Sequence, residues 1–155
     1  MSQSIDRRVV LIALTTLSAM PAQANSARLK VYRSPTCGCC MGWVRHMERD
    51  GFSVDVINQT DLAPIKRSAG VPESLESCHT AFIDGYVVEG HVPAKSVRKL
   101  LSERPDIIGI AVAEMPTGSP GMEVPGARLE PFKVMTIPKN GAPSVFVDFP
   151  NGYRT

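Results

Sequence analysis

Three of the chain's four cysteines fall within the run Ser34-Pro35-Thr36-Cys37-Gly38-Cys39-Cys40, and the fourth, Cys78, is followed at once by His79. Cys37 and Cys40 make a C-x-x-C pair with Cys39 inside it. A bridge between the neighbours Cys39 and Cys40 would strain the peptide joining them, because a relaxed disulfide holds its Cα atoms about 4.4–6.8 Å apart with a defined twist. Three thiols on one turn fit thiolate chemistry better, either metal binding or disulfide exchange. Cys78 taken alone allows two plainer roles: a small buried hydrophobe, or the disulfide partner of Cys39.

Thiolate and thioether sulfurs are soft donors that suit Cu(I), and thiolates also hold zinc and iron–sulfur clusters. Beyond the cysteines, the chain offers His79 and His91 in loop contexts and Met115 and Met122 on a loop rich in glycine and proline. Each has a bland alternative. The histidines could cap loops, and loop methionines often fill gaps. His46 and Met47 lie inside the expected first helix; Met47 shares a face with Trp43 and reads as core, and His46 reads as solvated. Hard cations would want carboxylate clusters, and none is evident. Zinc usually joins two spaced ligand pairs; Cys37 and Cys40 supply one, but Cys78-His79 lacks the spacing.

The flanking residues predict the elements that position these groups. Arg28 to Arg33 alternates as a short strand. Ser34-Pro35-Thr36 breaks it, and the cysteine run opens a helix ended by Asp50-Gly51. Phe52 to Asn58 is a second strand. Asp61 can cap a short helix from Leu62 to Ala69 that stops at Gly70. Val71-Pro72 begins an irregular stretch carrying Cys78 and His79. Thr80 to Ile83 and Tyr86 to Glu89 flank Asp84-Gly85, a strong hairpin signal. Ala94 to Glu103 is amphipathic, with Val97, Leu100 and Leu101 on one stripe. Pro105 to Gly126 shows little periodicity. Phe132 to Ile137 and Ser144 to Phe149 look like two more strands, which extend the sheet or close the methionine loop over the site, and Asn151 to Thr155 reads as a loose tail.

Strand, helix, strand, helix, hairpin, helix is the order of a thioredoxin-like domain. The expected fold is therefore α/β: a thioredoxin-like mixed sheet flanked by helices, with a Gly/Pro/Met-rich loop and extra C-terminal strands. That fold places its C-x-x-C between the first strand and first helix. There the first-turn N–H groups and the helix dipole favour negative charge, and a thiolate pKa can fall to about 3.5–7.5, with Cys37 best placed.

Arg7 and Arg8, the apolar run Val9 to Leu17, and Ala22-Gln23-Ala24 have the layout of an export signal. The run is shorter than the ~20 apolar residues a spanning helix needs. The expected division is a signal peptide over 1–24 and one domain over 25–155, delivered to the periplasm by the general or the twin-arginine route. Cleavage would lower the net charge from +2 to +1 and leave no polybasic tract, which disfavours nucleic acid as a partner. No second long apolar run follows, so the mature protein is expected not to be membrane-embedded. Thiols in an oxidising compartment need a reason to persist, such as a bound soft metal or a redox cycle.

Four ordered motifs together resemble the CopG-type periplasmic metal-binding proteins linked to copper resistance. They are the cysteine run, Ser77-Cys78-His79-Thr80, Gly85-Tyr86-Val87-Val88-Glu89-Gly90-His91-Val92-Pro93-Ala94, and Met115-Pro116-Thr117-Gly118-Ser119-Pro120-Gly121-Met122-Glu123. The similarity runs from about Leu29 to about Phe132. It implies a thioredoxin-like fold and the handling of copper or silver. Carried over, the metal ligands are Cys37, Cys39, Cys40, Cys78, His79, His91, Met115 and Met122, and the partners are copper ions with periplasmic copper chaperones or efflux components. Val112-Ala113-Glu114 before Met115 departs from the Gly or Pro expected there. Two functions follow. The first is a protein that binds Cu(I) on the cysteine cluster, with interconversion of Cu(I) and Cu(II) as a further capability. The second is a thiol–disulfide oxidoreductase in which Cys37 attacks and Cys40 resolves.

Overall fold

A computed structural model describes residues 28–154, so the export-signal reading of residues 1–24 lies outside the described residues. One seven-stranded sheet runs in the order β2-β1-β3-β4-β5-β6-β7. Its strands are β1 (Arg28–Arg33), β2 (Ser53–Asn58), β3 (His79–Ile83), β4 (Tyr86–Glu89), β5 (Gly109–Ala111), β6 (Phe132–Ile137) and β7 (Val145–Phe149). The helices are α1 (Gly38–Arg49), α2 (Ala63–Ser68) and α3 (Ala94–Glu103), with a 3-10 turn over Glu73–Leu75. β1 and β2 are parallel, as are β4 and β5, and the other neighbours are antiparallel. The order of elements from β1 to α3 is the order the sequence predicts.

Period-two alternation along the central strands sends successive side chains to opposite faces. Ala81, Ile83, Val88, Ile110 and Val134 pack on one face with Trp43, Val44 and Met47 of α1 and with Val97 and Leu100 of α3. Val87, Ala111 and Ile137 pack on the other with Val71 and Leu75 from the segment after α2. Met47 is core, as its spacing implies. The strands β6 and β7 extend the sheet past β5.

Three readings need correction. Pro105 to Gly126 is not wholly irregular, because Gly109–Ala111 forms β5. Three fully buried residues beginning with glycine leave no alternation to detect, yet this strand joins β4 to β6. His46 is not solvated: it is 6% exposed, and its Nε2 accepts the N–H of Ala94 at 3.0 Å. That bond satisfies one first-turn donor of α3, whose own N-cap is Pro93 with no side-chain cap. The tail is not loose at Tyr153, which is buried and packs edge-on against Phe149 and His46. Asp61 does act at the start of α2, where its Oδ1 accepts the N–H of Ala63 at 3.0 Å.

Candidate metal centre

The hairpin assembles half of the centre. The Asp84-Gly85 turn sets a register in which Thr80 faces Glu89. One step further, Gly90 N–H bonds to His79 O at 2.9 Å, and one step beyond that Cys78 meets His91. Their contact is direct: Cys78 Sγ lies 3.0 Å from His91 Nε2. The pairing of Arg33 with His79 brings the end of β1 beside this point, and the chain turns there into α1. Cys37 is the N-cap of α1, where its sulfur accepts the Cys40 N–H at 3.3 Å.

The four sulfurs therefore converge. Cys37 Sγ is 3.4 Å from Cys39 Sγ, and Cys39 Sγ is 4.0 Å from Cys78 Sγ. Cys37 and Cys40 form a disulfide, while Cys39 and Cys78 are free. Cys37 is thus not held as a helix-terminus thiolate in this state. Cys40, His79 and His91 are fully buried, and Cys37, Cys39 and Cys78 are half-buried nearer the surface. Cys78 Sγ also approaches His79 Nδ1 at 3.3 Å. The His79 ring sits 4.5 Å from the Trp43 ring and 5.1 Å, edge-on, from His91.

Burial governs the protonation of these groups. It pushes the Cys78 thiol up to about 12, with the neighbouring Cys39 adding to the shift. His79 lies well below the usual imidazole range, first through burial and then through the charges of His91 and Lys66. Burial also lowers His91, against a raising contribution from its hydrogen bond to Pro120 O. That bond, 2.8 Å from Nδ1, fixes the tautomer. A carbonyl only accepts, so Nδ1 carries the proton and Nε2 turns its lone pair toward Cys78.

The loop carrying both methionines lies against α1. Gly121, at φ 89°, has no room for a side chain: an added Cβ would fall 2.5 Å from Trp43 N and 2.6 Å from Cys39 O. Gly42 faces it, and a Cβ there would fall 2.8 Å from Gly121 Cα. Met122 follows this contact and is half-buried. Met115 is 47% exposed, and Glu114 O before it accepts the Ser77 hydroxyl at 2.6 Å, next to Cys78. The structure thus brings the four cysteines and two histidines together and lays the methionine loop at their edge.

A buried polar network beneath the centre escaped the sequence reading. Glu89 is fully buried and takes hydrogen bonds from the Ser77 N–H and the Thr80 hydroxyl, each at 2.7 Å. It also pairs with the Lys66 ammonium, which donates to Thr80 Oγ1 at 3.1 Å. Burial pushes the Glu89 carboxyl above its ordinary range, although Lys66 opposes this. A signal was available, since Glu89 is the one charged residue in the strand Tyr86-Val87-Val88-Glu89. Pairing of Gly42 with Gly121 carried no comparable signal.

Residues 75–122, which hold Cys78, both histidines and the methionine loop, match a family model described as "Protein of unknown function, DUF411". No curated protein matches the chain. Two solved structures do. "Copper resistance protein copG- Form 2" is 44% identical, with a TM-score of 0.76, over 80% of this chain and 98% of that one. "Copper resistance protein copG- Form 1" is 45% identical, with a TM-score of 0.74, over 79% and 97%. The chain belongs to the CopG copper-resistance family. This CopG-family chain has a cysteine cluster able to hold metal: the ligand atoms of Cys37, Cys39, Cys40 and Cys78 lie within 4.8 Å of one another. No helix among the described residues is long and apolar enough to cross a membrane.

Proposed function

We propose that this protein handles copper in the periplasm, binding Cu(I) on its cysteine cluster and contributing to copper or silver resistance. The observation that carries the reading is the convergence of four sulfurs and two buried imidazoles at one point of a fold shared with copper-resistance proteins. Soft donors in this number select a monovalent soft cation over hard ones. Cys37, Cys39, Cys40 and Cys78 are the primary ligands, His79 and His91 complete the inner wall, and Met115 and Met122 on the adjoining loop are auxiliary thioether donors. Residues 1–24 are the export signal, residues 25–155 the mature domain, and copper chaperones or efflux components the exchange partners. Competition between the reduced chain and a chromophoric Cu(I) chelator tests this. Affinity far above that of a lone exposed cysteine is expected, with larger losses from Cys39→Ser and Cys78→Ser than from Met115→Leu. Affinity no better than that of a lone cysteine refutes the reading.

The Cys37–Cys40 disulfide at the N-terminus of α1 favours a second reading, a thiol–disulfide oxidoreductase. Insulin reduction separates the two. The copper reading expects slow turnover and thiols that loading with Cu(I) protects from alkylation; fast turnover with no such protection favours the exchange enzyme.

A further inference from the structure

The six donors do not form one cage. Ligand atoms of Cys37, Cys39, Cys40 and Cys78 lie within 4.8 Å of one another, and so do those of Cys78, His79 and His91. Cys78 belongs to both groups. The disulfide removes two sulfurs from the first group, because the thiolate is the ligating species and a bridged sulfur is no longer one. It leaves the second group whole. There Cys78 Sγ stands 3.0 Å from His91 Nε2 and 3.3 Å from His79 Nδ1. Metal–sulfur and metal–nitrogen bonds of about 2.3 and 2.05 Å set such donors about 3.5 Å apart. A small outward shift therefore admits one ion. His91 is already aimed, since Pro120 O holds its Nδ1 proton and leaves the Nε2 lone pair facing the sulfur.

We infer that Cys78, His79 and His91 form a single-copper subsite that stays complete when Cys37 and Cys40 are bridged, so that the disulfide sets how many copper ions the chain holds. The inference rests on the copper reading above. One thiolate with two imidazoles is a mixed sulfur–nitrogen set that suits copper, whereas a thiolate cluster selects Cu(I). The centre then has an outer, thiol-rich part whose capacity depends on the state of Cys37 and Cys40, and an inner part near the buried histidines that does not.

The test uses the full chain in two forms, each titrated anaerobically with Cu(I) against a chromophoric chelator. One form carries the Cys37–Cys40 disulfide, verified by the mass of the alkylated protein, and the other is fully reduced by a dithiol. X-ray absorption then reads the donor atoms. The disulfide form should bind one Cu(I) in a mixed nitrogen–sulfur shell, and the reduced form more than one in a sulfur-dominated shell. His91→Gln should weaken the single ion on the order of 100-fold. A disulfide form that binds no copper while the reduced form does would overturn the subsite and leave the copper reading standing. A shell of two sulfurs in the disulfide form would also overturn it, by assigning the ion to Cys39 and Cys78. No copper in either form would overturn both.

Discussion

Replacing Glu89 by alanine deprives three donors of an acceptor at once: the Lys66 ammonium, the Thr80 hydroxyl and the Ser77 N–H. Lys66 is 5% exposed and Glu89 fully buried, so the ammonium is left without its counter-charge away from water. Breaking such a pair on one side costs about 3–5 kcal/mol, a large share of the roughly 5–15 kcal/mol that holds a domain folded. Removing both charges should behave differently. In Lys66→Met/Glu89→Leu no buried charge remains, and replacing a buried pair by apolar groups is often neutral. The Ser77 N–H and the Thr80 hydroxyl then lack their partners, at about 1–3 kcal/mol each, a loss that Glu89→Ala shares in addition to its unpaired ammonium. Urea unfolding should therefore rank the double variant between the native chain and Glu89→Ala. Cu(I) affinity should split from stability. The Ser77 N–H bond fixes the residue before Cys78, so the double variant should bind about 10–100-fold more weakly even where it is fully folded. A cost below about 1 kcal/mol for Glu89→Ala, or a double variant less stable than either single one at unchanged m-value, would refute the account of the pair. Native copper affinity in the folded double variant would refute the anchoring.

Gly121→Ala drives a Cβ into Cys39 O and Trp43 N at positive φ; the loop should lift from α1, and alkylation of Cys39 followed by mass spectrometry should run faster than in the native chain. Cys78, pushed up to about 12, is a thiol throughout the neutral range, so Cu(I) binding should release at least one proton per chain between pH 6 and 9, and the logarithm of the apparent affinity should rise by about one or more per pH unit; a flat profile in a pH-stat titration contradicts ligation by Cys78. Burial lowers His46, His79 and His91 below the usual imidazole value of 6.5. The unfolded chain therefore binds protons that the folded one refuses, and folding stability should be full above pH 6.5 and fall as pH drops toward the lowered values, by up to about 1.4 kcal/mol per unit for each histidine. Urea midpoints of the apo protein at pH 7.5 and 5.5 read this, and His46→Gln should shallow the slope.

The elements from β1 to α3 were legible because each has a strong local cause: alternation in β1 and β2, the Asp84-Gly85 turn between β-branched and aromatic residues, and the apolar spacing of Trp43, Val44 and Met47. So were the cysteines, whose spacing alone implies thiolate chemistry. What stayed hidden depends on contacts between distant segments. β5 is three residues long and exists because Val87, Val88 and Glu89 on one side and Met135, Thr136 and Ile137 on the other pair with it. His46 is buried because it caps a helix that starts at Ala94. Tyr153 is held by Phe149 and by the Lys95 ammonium, 4.8 Å from its ring. The sharing of Cys78 between two donor groups follows from hairpin register together with the position of α1, and neither cysteine spacing nor composition encodes it.

The contact between Trp43 and His79 makes the centre optically readable from within. The chain has one tryptophan, so its indole emission comes from a single place. That place is fully buried, hydrogen-bonded from Nε1 to Val92 O at 2.8 Å, and 4.5 Å from a ring of the inner donor group. A bound metal with low-lying electronic states would lie close enough to quench that emission, while a closed-shell ion would act only by moving the imidazole. Unfolding would instead shift the emission to longer wavelength as the indole meets water. Filling of the inner donors, oxidation of the ion they hold and loss of the fold would thus appear as separate signals from one residue, with no label added.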